Sequence, residues 1–158
     1  MIVTRAYELK YQSDFLRLSR ECMEHYDLEP LSQEKEARFI SLLNSGAHGC
    51  HLAFDGEKVV GFSTWIETIP GHQGTAFYMK ELFVSQSARG RGVGKALVLA
   101  LIDEANSLGC CRIDWQTDKD NAAAQEFYRR IGAPLFEKVT YRVRSEEFDT
   151  FLARVSGL

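Results

Sequence analysis

The chain has 158 residues, of which 45% are hydrophobic and 26% charged, and its formal net charge is −3. This composition is ordinary for a single globular domain over residues 1–158. A net negative chain has no surplus of Lys and Arg to neutralise phosphates, which disfavours a general nucleic-acid binder. The first residues lack the basic-then-apolar layout of a signal peptide, and the longest apolar stretch is too short to span a bilayer. We therefore expect a cytoplasmic protein with no nucleic-acid or membrane partner.

The first half of the chain predicts one strand, two helices and a β-hairpin. The first helix is capped by Ser13 or Asp14 and ends near the turn before Pro30, because the residue before a proline disfavours helix. Ser32 caps the second helix, which closes at Ser45-Gly46. The three predicted strands are Ile2–Tyr7, Gly49–Phe54 and Lys58–Ile66, and the last two flank the turn Asp55-Gly56-Glu57.

The second half predicts a central strand, a long helix and further alternating elements. The loop Pro70–Gly74 precedes the central strand, and Gly109 stops the long helix. The predicted elements in order are the strand Thr75–Val84, the helix Val93–Leu108, the strand Arg112–Thr117, the helix Asn121–Ala133, one or two strands in Leu135–Arg144, and a helix in Ser145–Val155. The last helix places four apolar side chains on one side, Phe148, Phe151, Leu152 and Val155, and on this ground we expect a homodimer.

Cysteine and histidine give no sign of a metal site. The chain has four of each, but no C-x-x-C or H-x-x-x-H spacing and no mixed set at zinc spacing. We expect free, buried thiols and no metal ion. No Ser/His/Asp or Cys/His set stands out to form a covalent intermediate either.

Between the central strand and the long helix lies a loop rich in glycine and positive charge. Its glycines and cations are Arg89, Gly90, Arg91, Gly92, Gly94 and Lys95. Backbone N–H groups at a helix N-terminus form a cradle for phosphate, and glycine lets the ligand come close. A Walker A loop is disfavoured, because its glycine spacing and the Ser or Thr after the lysine are missing. The loop predicts a phosphorylated cofactor, with an ordinary strand-to-helix turn as the alternative.

Two segments resemble the signatures of the GNAT superfamily of N-acetyltransferases. The pattern Arg-x-x-Gly-x-Gly at Arg89, Gly92 and Gly94 resembles its pyrophosphate loop. The run from Asn121 through Phe127-Tyr128 to Gly132-Ala133 resembles its second signature. Asn121 and Tyr128 are seven residues apart, two helical turns, so both can project from one face.

This resemblance implies a mixed α/β fold, with a twisted mixed sheet that splays at the central strands and flanking helices. It also implies acetyl-coenzyme A as cosubstrate, without a metal, bound along the central strand, the loop and the second signature. The implied cofactor-binding residues are Leu82, Phe83, Val84, Arg89, Gly90, Arg91, Gly92, Val93, Gly94, Lys95 and Asn121. Tyr128 would donate a proton to the departing thiolate, and the backbone N–H of Phe83 or Val84 would polarise the thioester.

The sequence pattern for the residues that bind the amine acceptor is less specific than that for the cofactor. The strand Tyr78–Val84 resembles that of diamine and polyamine N-acetyltransferases, in which a bulge turns two consecutive acids toward the site. Here Glu81 keeps the second acid, as general base or amine anchor, and Lys80 replaces the first. A solvent carboxylate paired with Lys80 or Arg91 is the other interpretation of Glu81. The predicted substrate-binding residues are Glu24, Tyr26, Asp27, Trp65 and Lys80.

The expected reaction is direct transfer of acetyl to a primary amine in a ternary complex, without an acyl-enzyme. A small amine or a polyamine is the favoured acceptor, since acidic and aromatic side chains suit a cation. Lysine side chains or N-termini of proteins are the alternative acceptors. A non-catalytic acetyl-coenzyme A sensor remains a third hypothesis.

Overall fold

A computed structural model describes residues 1–70 and 73–157 of the chain. These residues fall into two compact units, Met1–Asp118 and Lys119–Leu158. The predicted loop Pro70–Gly74 includes Gly71 and His72, which lie outside the described residues. Across the described part of the chain, no helix is long and apolar enough to cross a membrane.

The first unit contains a five-stranded mixed sheet and three helices, which confirms the predicted mixed α/β fold. Strands β1 to β4 pair in antiparallel order and β4 pairs with β5 in parallel, giving the sheet order β1-β2-β3-β4-β5. The strands are Ile2–Ala6 (β1), Gly49–Asp55 (β2), Lys58–Thr68 (β3), Ala76–Val84 (β4) and Ile113–Asp114 (β5). The helices are Gln12–His25 (α1), Gln33–Asn44 (α2) and Val93–Ser107 (α3).

The two faces of the sheet are covered by different helices. Alternate residues of a strand point to opposite faces. Thus Leu52, Phe62 and Phe83 pack with the buried residues of α1 and α2, including Leu18. Ala53 and its neighbours on the other face pack against α3. Burial on both faces makes the sheet a rigid support for the loop that joins β4 to α3.

The N-terminus of α2 agrees with the prediction from the sequence, and that of α1 does not. Ser32 caps α2 as predicted, and its hydroxyl accepts a hydrogen bond from the Lys35 N–H at 3.4 Å. The start of α1 differs from the prediction, because the helix begins at Gln12 with Tyr11 at the N-cap position and no side-chain cap. A preceding 3-10 turn at Leu9–Tyr11 leads into α1 and replaces a side-chain cap.

Strand β4 is paired on both sides only at its beginning. Its parallel pairing to β5 consists of Phe77 with Ile113 and Tyr78 with Asp114. The strand predicted over Arg112–Thr117 is therefore much shorter in the structure. Among the described residues of this unit, β4 from Met79 to Val84 pairs with β3 alone. The parting of the two strands leaves an open backbone edge that runs into the glycine loop.

The second unit contains the helices Ala122–Arg130 (α4) and Phe148–Ser156 (α5). The terminal helix is confirmed, after a 3-10 turn at Ser145–Glu147. The strands predicted in Leu135–Arg144 are wrong, since no residue there is assigned to a strand. Apolar alternation needs a neighbouring strand to hydrogen-bond with, and the described residues of this unit contain none. The predicted homodimer stays a prediction.

Candidate active site

The loop before α3 is shaped by glycines in a left-handed conformation. Gly90 has φ of +74° and Gly92, the N-cap residue of α3, has φ of +82°. L-residues adopt this region at a cost, so glycine is favoured at both positions. A Cβ added to either glycine would meet no atom within 4 Å. The space in front of the loop is therefore open, and a side chain there would intrude on it.

Helix α3 starts without a side-chain cap. No described side chain accepts a hydrogen bond at its N-terminus. The amides of Val93, Gly94 and Lys95 occupy the first turn, where N–H groups have no partner within the helix. The Val93 side chain is buried in the core, so Val93 offers only its backbone to a ligand. Together with the helix dipole, these amides form a site suited to an anion.

The three cations of the loop have different surroundings. Arg91 forms an ion pair with Asp55 at 2.7 Å, which ties the loop to the β2–β3 hairpin. Arg89 donates from Nε to the Val84 carbonyl at 3.1 Å. Lys95 is exposed on the first turn of α3. The arginines therefore brace the loop, and Lys95 presents its charge to solvent.

The backbone of β4 directs alternate residues toward and away from β3. Ser85 donates its N–H to the Val60 carbonyl at 2.9 Å. The Phe83 carbonyl also faces β3, since a Cβ added to Gly61 would lie 2.8 Å from it. Because the direction alternates along a strand, Leu82 and Val84 direct their amides to the open edge. Of the two predicted amide donors to the thioester, Val84 is the one whose amide has this direction.

A carboxylate of α1 holds the start of the loop. Glu21 Oε1 accepts hydrogen bonds from Ser85 Oγ at 2.5 Å and from the Gln86 N–H at 3.3 Å. Ser85 is buried, so the contact fixes the point at which β4 leaves the sheet. Neither residue can be recognised from the sequence, because they are 64 positions apart and neither belongs to a local motif.

A β-bulge lies at the predicted acceptor residues of β4. Trp65 pairs with Met79 and Thr64 with Glu81, which makes Lys80 the extra residue. Lys80 Nζ lies 5.2 Å from the centroid of the Tyr78 ring. Lys80 is exposed, and Glu81 also keeps contact with solvent. The structure therefore brings Lys80 and Glu81 together at an irregular, accessible point of the strand.

Burial sets the ionisation of the groups around Glu81. Surrounding protein atoms raise the pKa of the Glu81 carboxyl, although part of its surface is exposed, and the Lys80 charge opposes this rise. On α1, burial first and Glu81 second raise the pKa of the Cys22 thiol to about 12. Cys22 is thus a neutral thiol at physiological pH, and a thiolate nucleophile is disfavoured at this position.

The end of α1 lies over the same face of β4. The His25 ring is 6.3 Å from the Phe83 ring and 5.0 Å from the Tyr26 ring. Glu24, Tyr26 and Asp27 are exposed there, as predicted acceptor residues need to be.

Trp65, which was predicted to bind substrate, has a different position. It is buried, and its ring contacts His51 at 4.6 Å and Phe77 at 5.5 Å. Those residues belong to the face of the sheet that α3 covers. The structure does not bring Trp65 beside Glu81.

In the second unit, Asn121 and Tyr128 both lie on α4 or at its start. Asn121 Oδ1 accepts a hydrogen bond from the Ala124 N–H at 3.1 Å, so the residue caps the helix. Tyr128 is half-buried, and its ring centroid is 5.1 Å from that of Phe127. Both contacts are local to α4, and the catalytic role of Tyr128 and the coenzyme contact of Asn121 stay predictions. Among the described residues, no group of three or more His, Cys, Asp or Glu side chains could hold a metal ion.

Comparison with known proteins shows the family to which this chain belongs. The model of the Acetyltransferase (GNAT) family matches residues 13–133. The chain belongs to this family. The GNAT match covers the elements from α1 to the end of α4, including both predicted signatures. The GNAT family uses acetyl-coenzyme A.

Individual GNAT relatives match parts of the chain. The D-amino-acid N-acetyltransferase of Saccharomyces cerevisiae is 34% identical over 94 residues, which is 58% of each protein. The L-ornithine N5-acetyltransferase of Arabidopsis thaliana is 31% identical over 81 residues, 51% of this chain and 36% of that protein. The chain thus spans between a third and three fifths of these relatives. An integron cassette protein from the mobile metagenome of V. cholerae has a similar fold, with a TM-score of 0.80, 27% identity and coverage of 96% and 97%.

The Glu21 contact generates a first prediction. We expect Glu21→Ala to lower the free energy of unfolding by about 1.5–3 kcal/mol, the range for hydrogen bonds to a charged group. We also expect it to weaken coenzyme A binding, because the loop loses its attachment to α1. Glu21→Gln keeps an acceptor oxygen and should retain most of the affinity. Denaturant unfolding and calorimetry measure both effects.

Asp14→Ala removes another acid of α1, which is partly exposed and paired with Arg17 at 3.4 Å, and serves as the control. It should leave coenzyme A affinity unchanged. Ser85→Ala should add little destabilisation to Glu21→Ala, because the two residues share one interaction. Additive effects of the two substitutions would contradict the proposed link.

Proposed function

We propose that this chain transfers the acetyl group of acetyl-coenzyme A to a small primary amine, with both substrates bound together. The observation that carries the proposal is the uncapped N-terminus of α3 behind Gly90 and Gly92. Family membership supports it. Two of the relatives described above are named as acetyltransferases of amino acids, which are small amines.

The anionic pyrophosphate of acetyl-coenzyme A suits the backbone amides and the positive charge of the loop. The amides of Val93, Gly94 and Lys95 would hold the pyrophosphate, and the open space at Gly92 would admit it. Lys95 would add positive charge. The amides of Leu82 and Val84, at the open edge of β4, would hold the pantetheine arm. Asn121 is proposed as a further coenzyme contact from its sequence signature.

Three groups of the chain supply the chemistry. The amine nitrogen attacks the thioester carbon, and Glu81 accepts the proton that the nitrogen loses, directly or through water. The Val84 N–H donates a hydrogen bond to the oxygen on which charge develops. Tyr128 donates a proton to the sulfur as the carbon–sulfur bond breaks, so that coenzyme A leaves as a thiol. The raised pKa of Glu81 brings this base closer to the operating pH.

The acceptor is proposed to enter where α1 ends over β4. Glu24 and Asp27 supply negative charge there, and Tyr26 supplies an aromatic face. These exposed groups attract an ammonium ion before it loses its proton. The expected homodimer and the cytoplasmic location stay predictions.

A comparison of two glycines tests the cofactor site. Gly92 and Gly46 have nearly equal φ, +82° and +74°, and a Cβ at either meets no atom within 4 Å. Each substitution by Ala should therefore cost a similar backbone strain, about 1–2 kcal/mol of unfolding free energy. Only Gly92→Ala should lower coenzyme A affinity, by roughly tenfold or more, because its methyl group enters the pyrophosphate space.

Thermal unfolding checks the matched strain, and isothermal titration calorimetry checks the affinity. Equal losses of affinity in Gly92→Ala and Gly46→Ala would mean that the effect comes from strain alone. Unchanged affinity in both variants would place the cofactor elsewhere.

The role of Tyr128 is tested by removing its hydroxyl group. Tyr128→Phe keeps the ring and its contact with Phe127 while deleting the proton. We expect kcat to fall by about 10²-fold or more, the usual scale of general acid catalysis. Coenzyme A affinity should change little.

Tyr141→Phe is the matched control, because Tyr141 belongs to the same unit and is 91% exposed. Its kcat should equal that of the parent chain. If Tyr128→Phe turns over at the parent rate, the residue has a packing role only.

A further inference from the structure

Strand β4 presents two opposite charges from consecutive residues. The bulge at Lys80 interrupts the regular alternation of side chains. Lys80 lies over the Tyr78 ring, and Glu81 lies within electrostatic range of Cys22 on α1. Met79 lies beside Val98 and Leu101 of α3, and the Phe77 ring contacts Trp65 on that same side. Tyr78 therefore belongs to the face that carries Phe83. Lys80 and Glu81 therefore share the face over which α1 ends.

The charges of Lys80 and Glu81 are close to each other, but the two side chains do not form an ion pair. Lys80 lies near enough to oppose the rise of the Glu81 pKa. Among the ion pairs of the described residues, none within 4.0 Å involves Lys80 or Glu81. Both side chains are accessible to solvent. A ligand could therefore contact the ammonium and the carboxylate at the same time.

This pair of charges discriminates between classes of amine. A diamine or polyamine carries only positive charge, and Lys80 would repel the part that extends past Glu81. An amine with a carboxylate group has one charge for each partner. Glu81 would receive the amine, and Lys80 would bind the carboxylate through a charge-assisted hydrogen bond.

We propose that the acceptor is an amino acid, whose carboxylate binds Lys80 while the amine to be acetylated lies at Glu81. This inference rests on the proposed function, in which Glu81 accepts the amine proton. It makes Lys80 a specificity residue and argues against polyamines as the preferred substrates.

Pairs of substrates that differ only by a carboxylate test the inference. 2,4-Diaminobutyrate and 1,3-diaminopropane form one pair, and ornithine and putrescine form another. The amino acids are supplied as both enantiomers, and coenzyme A release gives kcat/KM. We expect the parent chain to prefer the amino acid of each pair by about tenfold or more. Mass spectrometry of the products shows which nitrogen carries the acetyl group.

Substitutions of Lys80 then identify the residue responsible. Lys80→Met removes the charge and keeps an unbranched side chain. It should lower kcat/KM for amino acids by about 10- to 100-fold and raise it for diamines, because the repulsion is lost. Lys80→Glu should reverse the preference within each pair. Lys58→Met removes another exposed lysine, at the start of β3, and should leave both values unchanged.

The outcomes separate this inference from the proposed function. Acetylation of diamines in preference to amino acids by the parent chain would overturn the inference and leave the proposed function standing. If Lys80→Met lowers kcat/KM equally for amino acids and diamines, the inference is also overturned and the proposed function stands, because an equal loss would indicate a structural role for Lys80. Transfer of acetyl to no amine at all would overturn both.

Discussion

Strand β4 parts from β5 after two residue pairs, and the candidate site depends on this geometry. A strand held on one side still has backbone groups directed to the other side, and these can bind an extended ligand. The same strand leads directly into the glycine loop and the first turn of α3. A single continuous segment thus supplies the amides proposed for the pantetheine arm and those proposed for the pyrophosphate. The two sites cannot move independently, because the buried sheet fixes both.

The edge and the faces of β4 are proposed to serve different purposes. Its open edge, with Leu82 and Val84, is proposed to bind the coenzyme. One face carries Lys80 and Glu81 below the end of α1, where the acceptor is proposed to bind. The other face packs against α3 and positions the helix whose N-terminus is proposed to bind the pyrophosphate. Glu21 connects α1 to the start of the glycine loop, so a substitution that loosens one of them should also loosen the other.

Electrostatics disfavours a covalent intermediate on Cys22. Cys22 is the cysteine whose pKa Glu81 raises, and burial and that carboxylate keep its thiol protonated. Glu81 has a raised pKa, which suits its proposed role of taking a proton from an amine. The opposing influence of Lys80 limits this rise and would fall if a substrate carboxylate neutralised the lysine. Under the proposed arrangement, binding of the acceptor would therefore change the pKa of Glu81.

Short sequence patterns predicted those features that are determined by residues close together in the chain. The glycine loop, the start of α3 and the Ser32 cap could be recognised because each is determined within a few positions. Features that depend on strand register could not be derived in this way. The position of Trp65 away from Glu81 and the contact of Glu21 with Ser85 require knowledge of which strands and helices meet. The prediction of strands in Leu135–Arg144 was wrong for the same reason. Alternation of apolar and polar residues indicates which side chains share a face of a strand, but it does not show whether a partner strand is present.

The most direct test is a titration of ¹⁵N-labelled protein with coenzyme A, followed by amide NMR spectra. The titration tests whether backbone N–H groups at the start of α3 bind the cofactor's pyrophosphate, as proposed. We expect the amide resonances of residues 90–95 to show the largest shifts and to saturate together with a single affinity. Unmoved resonances at these amides, with the largest shifts elsewhere in the chain, would contradict this proposal.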